Sequence, residues 1–285
     1  MTIAADSGSI SDAPHQRPRA ATTTRPALRP LALPTEHGGW GFLLEPVLLG
    51  LAVAPSWAGA LLAAAATLGF LTRQPLRLML QDVLRHRKVG RTRWCALFVT
   101  LYAAGALAAF AGAVAIAGPI AGWSMAIPFV MVAPLAAVQI AFDAQNKSRG
   151  LLPELNGPVA MSSAAAAIAL AGGRSYATAL VLAGLVIARG LPAVVYVRTL
   201  LKRAHGAASS SLPAAIMHAI GIGATFALWR FSLAPLAAPV AMTALLARAA
   251  WGLTHRVPPG KTVGWRESAW AAGYVAVVAV GFAGM

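Results

Sequence analysis

From residue 37 onward the chain is one apolar run after another, with its charges gathered into short stretches between the runs. That arrangement leaves little choice of solvent. Charged residues make up 11% of the 285, and hydrophobic ones 58% before the 27 glycines are counted. Soluble domains carry about 25% charge. A core of this size folded in water would lack the charged surface needed to cover it. The sequence therefore reads as an integral, multi-pass membrane protein with one membrane domain, its partner being the lipid bilayer.

An α-helix rises about 1.5 Å per residue, and the hydrocarbon layer is about 30 Å thick. The segment 37–72 is too long for one crossing, and Pro55-Ser56 divides it. Counted this way, the chain is all-α and predicts nine transmembrane helices. They lie at about 37–54, 56–73, 94–116, 119–141, 155–172, 175–197, 212–230, 232–251 and 267–284. Residues 1–32 are rich in Ser, Thr, Pro and Ala and read as a disordered cytoplasmic tail, with 33–285 as a single transmembrane domain. No signal peptide is expected, because the polar lead is long and Glu45 interrupts the first apolar run.

The charges orient this arrangement. With the N-terminus inside, twenty of the 23 Lys and Arg fall in the tail and the inner stretches. Arg174 and Arg230 fall outside, and Arg189 lies within a span. So strong a positive-inside bias places the N-terminus in the cytoplasm and the C-terminus outside. It also accounts for the net charge of +15 without any nucleic acid partner. The single cysteine, Cys95, excludes an intramolecular disulfide.

The first half of the chain recurs in the second. Leu33-Pro-Thr-Glu36-His37-Gly38 opens the first helix, and Leu152-Pro-Glu154-Leu-Asn-Gly157 opens the fifth. Arg73-Gln-Pro75 stands at the inner end of the second helix, and Arg189-Gly-Leu-Pro192 near that of the sixth. This order of acid, arginine and proline predicts two four-helix pseudo-repeats plus a ninth helix, related by an axis along the membrane normal.

Ionisable groups within a membrane are costly and mark function. Arg189 sits inside the sixth helix, with Tyr196 two turns on along the same face. Arg73, Arg77 and Gln81 share one face if the second helix continues past Pro75. A guanidinium pair there matches phosphate or carboxylate. Glu45 has no partner nearby in sequence and must face protein, a cavity or a proton path. Glu36 and His37 begin the first helix, and the densest polar cluster runs from Asp143 through Lys147 to Glu154. Asp82 is expected to pair locally with Arg85 and His86, Asp143 with Lys147, and Arg266-Glu267 to open the last helix. His37 and His218 lack metal-binding spacing, so no metal site is expected, and no motif assigns a cofactor.

The run Leu33-Pro-Thr-Glu-His-Gly-Gly-Trp40 with Glu45-Pro46 resembles the signature of the YwiC-like bacterial membrane proteins. Supporting matches are Arg73-Gln-Pro-Leu, Phe142-Asp143 through Arg149-Gly-Leu-Leu-Pro-Glu154, Arg189 to Arg198, and Val263-Gly-Trp-Arg-Glu267. The resemblance implies a bacterial cytoplasmic (inner) membrane protein; it supplies no reaction.

Nine helices in a four-plus-four pseudo-repeat are also similar to the UbiA-type intramembrane prenyltransferases. In that superfamily the inner ends of the second and sixth helices carry Asp-rich motifs for Mg²⁺ and diphosphate. Here they carry Arg73 to Arg77 and Arg189 to Pro192. The fold resemblance thus implies an enzyme or binder of a lipidic or prenyl anionic substrate at a cytoplasm-facing polar cavity. Arg73, Arg77 and Arg189 would meet the head group there, with His37, Glu45, Gln81 and Tyr196 around it. Glu36, Asp143 or Glu154 would serve as acid or base. Two alternatives stay open: a transporter of a small anion or amphiphile, and a non-catalytic membrane assembly factor.

Overall fold

The computed structural model describes residues 28–34, 37–86 and 90–285, with His37 and Gly38 described in backbone only. Every regular element among them is helical: α1 (Arg29–Ala32), α2 (His37–Val53), α3 (Trp57–Leu84), α4 (Arg91–Ala117), α5 (Pro119–Ala144), α6 (Leu151–Ala171), α7 (Tyr176–Ala204), α8 (Leu212–Arg230), α9 (Ala237–Thr254) and α10 (Gly260–Ala283). Four of them, α4, α5, α7 and α8, are long and apolar enough to cross a membrane.

The helix ends have local causes. Ser56 begins α3 by accepting from Gly59 N–H at 3.0 Å, and Ser175 begins α7 by accepting from Thr178 N–H at 3.2 Å. Gly118, at φ +85°, turns the chain between α4 and α5, and Pro119 then occupies the first helical position. Arg174, in the turn before α7, donates to Val53 O at 2.8 Å and so closes the end of α2. Prolines stand inside α2, α3, α5, α6 and α7 without ending them. Packed apolar bundles tolerate this because neighbouring helices satisfy the freed backbone groups.

The short helix α1 buries Leu31 and is tied by Gln74 Nε2 to Pro30 O and by Tyr102 Oη to Ala32 O. Residues 1–27 lie outside the described part of the chain.

The central helix is α6, which packs against α2, α3, α5 and α7. Its stretch Ala164–Ala169 is wholly buried, and Ser162 and Ser163 bond back to their own helix at Val159 O and Ala160 O. Small side chains permit close approach on all sides. A Cβ at Gly50 of α2 would lie 2.9 Å from Ile168 Cβ of α6. The last helix, α10, returns to pack on α2 and α9, so the N-terminal halves of α2 and α10 lie side by side. By contrast α4 and α5 have few fully buried residues.

Candidate functional site

Two polar centres form inside this bundle. The first joins α3, α5 and α6. Helix α3 does continue past Pro75, to Leu84, which carries Arg73, Arg77 and Gln81 along one face. Arg73 Nε and Nη2 donate to the Asp143 carboxylate at 2.6 and 3.0 Å. Gln81 Nε2 donates to Asp143 O at 2.8 Å, and Arg77 Nη2 to Asn146 Oδ1 at 3.2 Å. Gln139 adds a bond to Asp143 Oδ1 at 3.3 Å, and Asn156 of α6 reaches Leu135 O at 2.7 Å.

Arg73, expected to meet an anionic head group, is thus paired with a carboxylate of the chain itself. Arg73 makes a bidentate, charge-assisted pair with that carboxylate. The crevice beside Arg73 and Arg77 measures about 10 Å³, which is room for a water and not for a phosphate. Asp143, expected to pair with Lys147 and to act as acid or base, is the counter-ion of Arg73. Its short-range pairing gives way because α3 presents a fork with two donors to a carboxylate only 2% exposed.

Two further ion pairs lie apart from this centre. Glu154 accepts from Arg198 Nη1 at 2.6 Å, both side chains partly exposed. Asp82 accepts from Arg91 at 3.0 and 2.6 Å and from Thr92 Oγ1 at 3.0 Å, which corrects the local pairing expected with Arg85 and His86. Glu36 lies outside the described residues, as does the His37 side chain.

The second centre joins α2, α7, α9 and α10. Arg189 Nη1 donates to Glu45 Oε2 at 2.8 Å, with both side chains at most 3% exposed. Arg189 Nη2 donates to Glu267 O at 3.0 Å and lies 3.6 Å from Glu267 Oε2. Both terminal nitrogens of Arg248 bond to the same Glu267 carboxylate, Nη2 at 3.3 Å. The Arg248 guanidinium sits 4.4 Å from the Tyr196 ring centre and 5.7 Å from that of Trp270. Tyr196 meets His218 edge to face, and His218 Nδ1 bonds to Ala214 O at 2.8 Å. Tyr274 Oη donates to Leu185 O one turn before Arg189.

This centre carries two acids and two arginines, so its formal charges balance. Among the described residues, three of its buried atoms have no hydrogen-bond partner: Glu45 Oε1, Arg189 Nε and Arg248 Nε. Glu45 is also part of the wall of a cavity of about 340 Å³ between α2 and α10. The rest of that wall is almost entirely apolar, with Leu44, Leu48, Trp265 and Ala272 where it meets the outer surface of the bundle. Small-molecule sites begin at about 300 Å³ and pair apolar walls with a few polar groups.

Sequence reading finds Glu45, Arg189 and Tyr196 of this centre and misses Arg248 and Glu267. The missed signal is helix length: α10 starts at Gly260, which carries Glu267 two turns into the helix rather than to its first turn.

A UbiA-type Mg²⁺ site does not fit these residues. The corresponding stretches of α3 and α7 present arginines, the nearby acids Asp143 and Asp82 are spent on Arg73 and Arg91, and no three His, Cys, Asp or Glu side chains gather among the described residues.

No curated protein and no solved structure matches the chain. Glu45, Arg73, Asp143 and Glu154 fall within the part that has a family counterpart, and Arg189, Arg248 and Glu267 beyond it. The model of the family described as YwiC-like protein matches residues 33–169, a range that includes the Leu33–Trp40 motif, so over that range the chain is similar to this family.

Proposed function

We propose that this chain is a nine-span inner-membrane protein that binds an amphiphilic molecule between α2 and α10, with the Glu45–Arg189–Glu267–Arg248 centre as the polar end of the site. The observation that carries the reading is the cavity: almost wholly apolar walls that meet the outer surface of the bundle at Leu44, Leu48 and Trp265, with the buried Glu45 among the lining residues. A site of this kind admits a chain from the bilayer and holds its head by a hydrogen bond.

The bilayer placement has independent support. Trp57, Trp123 and Tyr176 are exposed at the starts of α3, α5 and α7, at one end of the bundle under the nine-span topology. Trp251 and Trp265 are exposed at the end of α9 and the start of α10, at the other. Exposed aromatics at both ends fit the two interfacial belts of a membrane protein. With the positive stretches in the cytoplasm, the cavity lies in the inner half of the membrane, as α2 and α10 both begin there. The two-repeat layout is supported by α2 and α6, the first helices of the two halves, packing on each other at the centre.

Mass spectrometry of molecules that co-purify in mild detergent tests this. The expected result is a lipidic species near stoichiometry in the wild type and its loss in Ala272→Phe, which fills the cavity without touching the ion pairs. A cavity that retains no specific molecule in either protein, together with unchanged binding of added amphiphiles in Ala272→Phe, would overturn the reading.

A further inference from the structure

We propose that the end of the bundle where α2 and α10 begin is a docking surface for anionic phospholipids of the bilayer, with a head-group position at the α9–α10 turn, on Arg256 and Lys261. The inference does not depend on the α2–α10 cavity. It stands on charge and on where the charges are placed.

Glu45, Asp82, Asp143, Glu154 and Glu267 are the acids among the described residues, and each is paired with an arginine of the chain. Arg93, Lys147, Arg149, Lys202, Arg256 and Lys261 are exposed, and none of them has an acid partner among the described residues. Hydrogen bonds bring the turns that carry them to one end of the bundle. Gln81, near the end of α3, donates to Asp143 O near the end of α5 at 2.8 Å. Arg198, near the end of α7, donates to Arg149 O before α6 at 3.2 Å, and Arg203 Nη1 donates to Leu253 O near the end of α9 at 2.7 Å. The opposite end has Arg174, which donates to Val53 O, and Arg230. A set of like charges at one end repels itself and attracts a surface of the other sign.

Depth and spread identify that surface. Trp251 and Trp265 are exposed on either side of the α9–α10 turn, and the Arg93 guanidinium lies 5.8 Å from the Trp94 ring centre. Tryptophans of membrane proteins stand at head-group depth, so the cations beside them meet lipid phosphates. The cations are also distributed over α4, the α5–α6 turn, the end of α7 and the α9–α10 turn, whereas an acidic protein would need them joined in one patch.

The α9–α10 turn is held from α7. Arg203 bonds to Leu253 O before the turn, and its Nε and Nη2 hold Ser209 O of the α7–α8 loop at 3.1 and 2.8 Å. Pro258 and Pro259 restrict the backbone that follows Arg256. Lys261 and Trp265 are one turn apart on one face of α10. A phosphate on the Lys261 ammonium therefore leaves its acyl chains beside the indole.

The test is native mass spectrometry of the delipidated protein with dioleoylphosphatidylglycerol and dioleoylphosphatidylcholine, which share their chains and differ in net charge. The wild type is expected to bind the anionic lipid at least about five-fold more tightly, the worth of one cation at an anionic surface. Raising the salt from about 0.1 to about 1 M should shrink that preference. Arg256→Gln with Lys261→Gln should remove most of it, and Arg256→Lys with Lys261→Arg should keep it. Arg230→Gln, at the opposite end, and Ala272→Phe, in the cavity, should leave it unchanged. Equal binding of the two lipids by the wild type would overturn the proposal. So would a preference that survives Arg256→Gln with Lys261→Gln, or one lost in Ala272→Phe, since the head would then be held elsewhere. A poly-glutamate peptide that binds the wild type more tightly than the anionic lipid would make the partner a protein instead.

Discussion

Glu45 and Arg189 stand 144 residues apart in the chain and 2.8 Å apart in the bundle, and neither side chain is more than 3% exposed. Their pair links α2 to α7, and Glu267 extends it to α10 and, through Arg248, to α9. Four helices thus meet at one charged point. A buried ion pair need not add net stability, but breaking one leaves a buried charge.

Single substitutions there should therefore cost more than the pair is worth. Glu45→Ala or Arg189→Ala is expected to destabilise the protein by about 3–5 kcal/mol. The double change Glu45→Leu with Arg189→Leu should recover part of that loss, since it removes both charges. Unfolding in mixed micelles with increasing SDS would measure this. A double variant as unstable as the sum of the singles would mean that the two residues do not act as a pair.

Orientation can be read with the single cysteine. Cys95 is fully buried in α4 and should resist a membrane-impermeant maleimide in intact and in permeabilised cells. On a Cys95→Ala background, Arg230→Cys, at the end of α8, should label in intact cells. Arg256→Cys, between α9 and α10, should label only after permeabilisation. Labelling of both from the same side would break the nine-span alternation.

The helices were legible because apolar length is a local property: Pro55-Ser56, Gly118-Pro119 and Gly172 to Ser175 each mark a turn that the structure contains. Their partners were not. Arg73 finds Asp143 at a separation of 70 residues, and Glu45 finds Arg189 at 144. Amphipathic helices announce the face they bury, but α2, α6 and α10 are apolar all round, so no periodicity says which neighbour each meets. Helix ends misled as well. Polar turns such as 260–266 continue α10 beyond the apolar run, and that extension is what brings Glu267 to Arg189 and Arg248.

The Arg73–Asp143 pair should behave asymmetrically. Asp143 is 2% exposed in its side chain, whereas Arg73 is 32% exposed and reaches toward solvent. Arg73→Ala strands a buried carboxylate and should cost about 1–3 kcal/mol. Asp143→Asn keeps an acceptor for Gln139 and Arg73 and should cost less. A double-mutant cycle on SDS unfolding should give a coupling of about 0.5–3 kcal/mol. Coupling near zero would mean that the contact adds nothing to holding α3 on α5.

Gly252 has a more specific role. A Cβ built there would lie 2.0 Å from Tyr196 Oη and 3.1 Å from its Cζ, so the missing side chain is the space the tyrosine occupies. Tyr196 in turn covers the Arg248 guanidinium, which holds Glu267. Gly252→Ala should push the ring off Arg248 and destabilise the protein by about 1–3 kcal/mol, the usual cost of overpacking. Tyr196→Phe removes the atom that clashes most and keeps the ring, so adding it to Gly252→Ala should recover a good part of the loss. Equal stability of Gly252→Ala with and without Tyr196→Phe would show that the glycine serves some other need of α9.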